Sequence, residues 1–175
     1  MKGMKRLVPA LLFAGLAVGP AASQTSALKG HDSNAPVDVA ADRIEVQDRA
    51  DRAIFSGNVV VRQAELTLTA ARLTVAYSSG GGVELRRIDA TGGVTVRSPS
   101  ETASGNVGIY DLDRRIITLI GDVSLVQRDA KVNGGRLTID LDSGRAVMDG
   151  GGPPGTTSQG GRVTGTFTVP QKKGG

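Results

Sequence analysis

Residues able to carry out enzyme chemistry are few in this chain, and their spacing does not group them into a site. The only histidine is His31, and there is no cysteine. A single imidazole in a polar stretch predicts a solvated linker residue in preference to a metal ligand or a general base. The pairs Asp111/Asp113 and Asp140/Asp142 have the spacing of paired carboxylates or of a calcium loop. Both pairs fall in turns or on the polar side of strand patterns, which favours a solvated role.

Two glycine clusters, 80–82 and 150–152, are the candidate phosphate loops. Neither leads from a strand into a helix, as a nucleotide-binding loop does, so both are interpreted as turns. Aromatic side chains, on which sugar and single-stranded nucleic-acid sites stack their ligands, make up only 3% of the chain. The sequence therefore predicts no catalytic residue, no metal site and no cofactor.

The elements that must position any functional residue belong to a repeat. Its copies span 53–61, 88–96, 117–125 and, in worn form, 146–150. A second block precedes each copy, at 42–46, 71–75, 105–109 and 135–139. The glycines of successive copies are 35, 29 and 29 residues apart. Four stacked β units of about 29 residues would enclose a single long apolar interior.

From residue 37 to residue 149, apolar and polar residues alternate over short β-branched runs, which is typical of half-buried strands. Gly57, Gly92 and Gly121 lie inside these runs, where glycine marks a bulge that lets a sheet curl into a roll. We therefore predict an all-β domain over 37–150, with an interior that is either filled by side chains or open to an elongated ligand. The residues expected to face this interior, from their shared phase, are Ile44, Val46, Phe55, Val59, Val61, Leu73, Val75, Val94, Val96, Val107, Ile109, Leu119, Val123, Leu125, Leu137 and Ile139.

Residues 1–23 have the layout of a secretory signal peptide, with three basic residues, an apolar run and small residues before Gln24. The alternative is a membrane anchor, but the run from Leu7 to Val18 is too short to cross about 30 Å of hydrocarbon. Without the three basic residues of this segment, the chain keeps 18 basic and 17 acidic side chains. So balanced a charge argues against a nucleic-acid partner.

The segments outside the predicted domain are polar or rich in glycine. Residues 24–36 are expected to be a disordered lead, and 151–161 a Gly/Pro-rich linker. Residues 162–169 alternate once more and are either a final edge strand or part of a tail. The last residues, 170–175, are expected to form a flexible tail.

Several blocks together resemble the LptA family of OstA-like periplasmic proteins of lipopolysaccharide export. They are residues 41–46, 55–63, 71–75, 90–94, 134–142 and 162–170. The resemblance covers about 37–150 and implies a twisted, slightly open β-jelly roll without enzymatic activity. It also implies that the interior residues named above include those that bind the lipid A acyl chains of lipopolysaccharide.

The same resemblance implies the partners of the chain. Copies would join head to tail, edge strand to edge strand, into a bridge across the periplasm. The ends of this bridge would meet an LptC-like inner-membrane protein of the ABC transporter complex and an LptD-like outer-membrane protein. The glycine-rich linker departs from the family pattern and leaves the C-terminal edge open between 137–147 and 163–169. Two rivals are a polymer-forming β-solenoid without a lipid ligand and a secreted glycan hydrolase, which would need a carboxylate cleft that the sequence does not show.

Overall fold

The computed structural model describes residues 31–80, 82–128, 130–151 and 161–167. Apart from a single 3₁₀ turn at Asp48–Ala50, the regular structure of these residues is β-strand. The strands are β1 Val37–Ala40, β2 Arg43–Gln47, β3 Arg52–Gln63, β4 Leu66–Ser78, β5 Glu84–Arg97, β6 Glu101–Asp111, β7 Ile116–Gln127, β8 Ala130–Asp140, β9 Arg145–Asp149 and β10 Thr164–Phe167. The predicted signal peptide, residues 24–30 of the lead, most of the linker, the last two residues of the possible edge strand and the whole predicted tail lie outside the described residues.

All strand pairs are antiparallel, and they follow one path, β1-β3-β4-β5-β6-β7-β8-β10. Two short strands leave this path, because β2 also pairs with β3 and β9 also pairs with β8. Most of the connections between the long strands are tight turns, as alternating runs separated by Gly, Ser and Asp predict.

Each long strand changes direction at a break in the pairing register. On β3 the break lies between Ser56 and Val59, and on β7 between Ile120 and Val123. Gly57 and Gly121 stand at these breaks, and Gly92 stands at the β5 break between Thr91 and Val94, with φ of 79°, 80° and 84° in that order. Left-handed backbone of this kind is favourable for glycine and strained for most other residues, so these glycines fix where β3, β5 and β7 bend.

The breaks divide the sheet into two halves. The β1 half contains β1, β10 and the segments 59–63, 66–70, 94–97, 101–105, 123–127 and 130–134. The β2 half contains β2, β9 and the segments 52–56, 72–78, 84–91, 107–111, 116–120 and 136–140. Because every strand folds over at its break, the apolar faces of the two halves lie against each other.

The two halves share one hydrophobic core. Leu73, Leu119 and Ile139 of the β2 half and Val59 and Val94 of the β1 half are at most 1% exposed. The prediction of an all-β, slightly open jelly roll is confirmed, since the described strands form one antiparallel sheet that folds on itself and ends in separate edges.

Candidate functional site

The space between the two halves differs along the length of the roll. At the end formed by β1 and β2, an open cavity of about 660 Å³ lies between them. At the centre, only about 30 Å³ remains among Leu68, Ile88 and Val96, which is room for a water molecule or so. At the β9 end, a cavity of about 80 Å³ lies beside Leu125 and Met148. The interior is therefore filled at its centre and open at the β1/β2 end.

The open cavity has aliphatic walls and a polar rim. Val39, Phe55, Val75 and Leu85 are among the residues that line it, and Val83 reaches it with 73% of its surface exposed. An aliphatic side chain exposed to water beside a cavity of this size is the kind of surface that a hydrocarbon ligand would bury.

Four polar side chains stand at the edge of this cavity, and one of them, Ser79, donates a hydrogen bond from Oγ to Asp51 at 3.2 Å. Asp48 and Asp51 come from the connection between β2 and β3, and Tyr77 comes from the end of β4. Partial desolvation, together with the charges of the two aspartates, raises the pKa of the Tyr77 hydroxyl above its usual value of 10.0. The walls carry no charge of their own, so charged parts of a ligand would remain at the rim.

Most of the residues expected to face the interior do so. Ten are buried in the core: Val59, Val61, Leu73, Val75, Val94, Val96, Leu119, Val123, Leu137 and Ile139. Phe55 and Leu125 are partly buried against it, one beside each end cavity. The core residues pack mainly on one another, so the described structure gives them a structural role whatever else they contact.

Ile44 and Val46 share the interior phase but lie on the edge strand β2, where they are 57% and 56% exposed. They pair with Phe55 and Ala53 of β3, whose side chains point inward. The apolar face of the roll thus continues past the core to an uncovered edge, next to the open cavity.

The expectation that Val107 and Ile109 lie in the buried interior does not match the burial pattern, although Ile109 does border the central cavity. Both are only partly buried, whereas their neighbours Gly108 and Tyr110 are buried. The inward residues before and after the β6 break are Gly105 and Gly108, which are three positions apart. An odd spacing shifts the alternation by one residue, so Val107 and Ile109 leave the buried phase and Gly108 and Tyr110 enter it.

His31 is also not the solvated linker residue that the sequence predicts. Its side chain is fully buried, with Nε2 3.1 Å from Oε1 of Gln63 and Nδ1 3.3 Å from Oε1 of Glu65. Residues 31–36, expected to be disordered, form a hydrogen-bonded turn in which Asn34 N–H donates to a carboxylate oxygen of Asp32. An isolated histidine in a polar stretch gives no sequence signal for such contacts, because its partners lie more than 30 residues away.

Sequence reasoning also missed several lining residues. At the open end these include Val37, Val39, Val83 and Leu85. At the β9 end they are Val132, Ala146 and Met148. The alternation of Val37 and Val39 with Asp38 is a signal that could have found them, whereas Val83 follows a glycine cluster, which predicts only a turn.

The comparisons with known proteins agree with this architecture. A family model described as the LptA/(LptD N-terminal domain) LPS transport protein matches residues 38–145. The chain belongs to this family. It is therefore a lipopolysaccharide transport protein, and the resemblance noted in the sequence is confirmed.

Individual relatives extend the match over most of the chain. An uncharacterised protein of Rhizobium meliloti (strain 1021) is 32% identical over 82% of this chain and 86% of its own length. The lipopolysaccharide export system protein LptA of Haemophilus influenzae is 26% identical over 79% and 83%. The LPS-assembly protein LptD of Yersinia pestis bv. Antiqua is 35% identical over 49% of this chain, which corresponds to only 11% of that protein.

A solved structure shows the same fold. It is LptH, the LptA homologous periplasmic component of the lipopolysaccharide transport device of Pseudomonas aeruginosa, with a TM-score of 0.70. The two chains are 20% identical, and the match covers 79% of this chain and 99% of LptH. At this level of identity the likeness establishes the jelly roll itself.

The described residues lack two other kinds of feature. They contain no group of three or more His, Asp or Glu side chains that could hold a metal ion. Within the same ranges, no helix has the length and hydropathy needed to cross a bilayer.

Proposed function

We propose that the chain is a periplasmic carrier that binds the acyl chains of lipopolysaccharide between the two halves of its roll, on the way from the inner to the outer membrane. One observation carries the proposal: the cavity of about 660 Å³ at the β1/β2 end is open, largely aliphatic and bordered by the exposed side chains of Val46 and Val83. Lipopolysaccharide would enter or leave the roll at this end.

The energetics suit a carrier better than a catalyst. Each methylene transferred from water to an apolar surrounding contributes about 0.8 kcal/mol, so aliphatic walls remove the main barrier to moving an acyl chain through water. Apart from Asp48, Asp51, Tyr77 and Ser79 at the rim, the side chains that line the cavity are apolar and would not fix one lipid position by hydrogen bonding. A smooth wall lets the ligand slide from one contact to the next.

The two ends of the roll also support head-to-tail assembly. Within the described residues, β1 and β2 each pair with one strand, β3, and β9 and β10 each pair with one strand, β8. Strands with one free side offer unpaired N–H and C=O groups to another chain. The two ends differ in sequence, so a joint between them would propagate instead of closing as a symmetric dimer.

The partners proposed for these edges are other copies of this chain, an LptC-like inner-membrane protein and an LptD-like outer-membrane protein. The family match includes LptD N-terminal domains, which supports a roll of the same type on the LptD side. Transport would thus continue through successive interiors aligned end to end.

Photo-crosslinking tests the lipid site. A benzophenone side chain in place of Val46 or Val83 should capture lipopolysaccharide, because both positions border the open cavity. The matched controls are Glu45 and Thr74, which pair with Ile54 and Asp89 on the outer face and should not be labelled. Equal labelling of both sets would remove the proposal. Assembly without any lipid capture would favour the alternative, a structural polymer.

Light scattering tests the assembly. Deleting residues 150–175 removes β10 and leaves β9, so the oligomers of the shortened protein should be fewer and smaller than those of the full chain. Circular dichroism must first show that the shortened protein keeps its β-sheet. An unchanged ladder of oligomers would exclude β10 from the joint. A full-length protein that stays monomeric at high concentration and binds neither partner would overturn the bridge.

A further inference from the structure

Residues 31–36, called the strap below, lie across the side of the roll where its turns meet. The breaks in β3–β8 form one long side of the roll. The turns that connect the strands of the two halves therefore face each other on the opposite side. Gln63 and Glu65 flank the β3–β4 turn of the β1 half. Tyr110 and Arg115 flank the β6–β7 turn of the β2 half. The strap contacts both turns.

Gln63 is the centre of these contacts. Its Nε2 donates to the backbone carbonyls of Ser33 and Ala35, both at 3.0 Å, and its Oε1 accepts from the Tyr110 hydroxyl at 3.1 Å. Nε2 of His31 lies 3.1 Å from the same Oε1. One glutamine of the β1 half thus holds the strap and a tyrosine of the β2 half together.

A second set of contacts lies nearer to solvent. Arg115 donates from Nη2 to the side-chain oxygen of Asn34 at 3.2 Å and from Nη1 to Asp142 at 3.0 Å. His31 Nδ1 lies 3.3 Å from the carboxylate of Glu65. The strap is therefore pinned to one half through Glu65 and to the other through Arg115.

The strap covers the part of the interior that is filled. Gln63 and Tyr110 line the small central cavity together with Leu68 and Ile88. Burial raises the pKa of the Tyr110 hydroxyl above 10.0, which fits a hydroxyl held out of water beneath the strap. A lipid that moves from the open cavity to the β9 end must pass this point, where the two halves touch.

We propose that the strap is a latch that holds the two halves closed over the centre of the roll and must release before lipid can pass. This inference rests on the proposed function, since it concerns passage through the same interior. Its contacts are polar and each can be exchanged for water, so release needs no loss of core packing. No residue of the strap lines the open cavity at the β1/β2 end, so this cavity should fill whether the latch is closed or released.

A crosslink that locks the strap provides the test. Asn34→Cys and Asp142→Cys place two thiols at positions that Arg115 now bridges, and a short bismaleimide joins them. The chain has no other cysteine, so only this pair reacts. The control is Arg86→Cys with Asp113→Cys, an ion pair of 2.7 Å within the β2 half that does not involve the strap.

Lipid capture is then measured with purified lipid A in dodecyl maltoside micelles. A benzophenone at Leu68 reports on the central interior, and one at Val83 reports on the open cavity. Bridging the strap should lower capture at Leu68 and leave capture at Val83 unchanged, whereas bridging the control pair should change neither. Equal capture at Leu68 with and without the bridge overturns the latch and leaves the proposed function standing. Absence of capture at both Leu68 and Val83 overturns the latch and the proposed function together.

A variant that weakens the latch gives an independent result. His31→Ala removes the imidazole contacts but leaves Gln63 with its partners in Ser33, Ala35 and Tyr110. Losing about one net hydrogen bond should raise capture at Leu68 about fivefold. Asn106→Ala, which removes a 3.1 Å hydrogen bond to Asp122 on the opposite side of the roll, is the control and should not change it. Equal effects of the two substitutions would contradict the latch.

Discussion

Gly108 is the position at which closure of the interior is tested most directly. It lies in the β2 half, and a Cβ added there would be 2.9 Å from Cγ1 of Val94 in the β1 half and 3.2 Å from Cδ2 of Leu119. Its backbone is not left-handed, so alanine fits the local conformation, and the obstacles are Val94 of the opposing half and the flexible end of the Leu119 side chain in its own half. Val94 is 1% exposed and β-branched, which leaves it little freedom to move away.

The sign of the stability change for Gly108→Ala distinguishes two states of the interior. If the halves touch as described, overpacking should lower the free energy of unfolding by about 1–3 kcal/mol. The smaller stabilisation that comes from replacing glycine by alanine offsets part of this loss. If the halves stand apart in solution, the same substitution should raise it by about 0.4–1 kcal/mol, because alanine restricts the unfolded chain more than glycine does.

Urea unfolding followed by circular dichroism measures this free energy. Combining Gly108→Ala with Val94→Ala should recover part of the loss, since the added methyl group then fills space that valine has vacated. Strictly additive single and double substitutions, or a stabilised Gly108→Ala protein, would refute the closed centre. They would also remove the reason for a latch over it.

Three further predictions concern the bends, the core and the tyrosines. Gly121→Ala should destabilise the roll by about 1 kcal/mol or more, because φ is 80° and the added Cβ would meet a neighbouring side chain, whereas Gly80→Ala has open space and should be neutral in thermal unfolding. Leu119→Ala should cost about 2–5 kcal/mol in urea unfolding, while Val126→Ala, at a position 42% exposed, should cost no more than about 0.5 kcal/mol. Both tyrosines have raised pKa values, so a phenolate absorbance titration of the folded protein should have its midpoint above pH 10. The neutral Tyr110 hydroxyl stabilises the fold below pH 10, and this stability should be lost as the pH rises through that midpoint. A midpoint below pH 10 would contradict the burial of Tyr110.

The strands and their bends could be predicted because both are local properties. Alternation at Leu73–Val75 or Leu137–Ile139 shows which residues share a face, and glycine at 57, 92 and 121 marks where that face must turn. β10 could not be decided in the same way. Its four residues are all exposed, and their strand conformation depends on pairing with β8.

The sequence by itself determined the class of protein, the β repeat and most of the residues that face inward, since these follow from periodicity and from blocks that the family shares. Only the tertiary structure decided three features. The odd spacing across the β6 break took Val107 and Ile109 out of the buried phase, contact between the halves filled the centre, and residues 31–36 became ordered through partners such as Gln63 and Arg115. Each depends on groups far apart in the chain, and the spacing of neighbouring residues contains no information about which distant surfaces will meet.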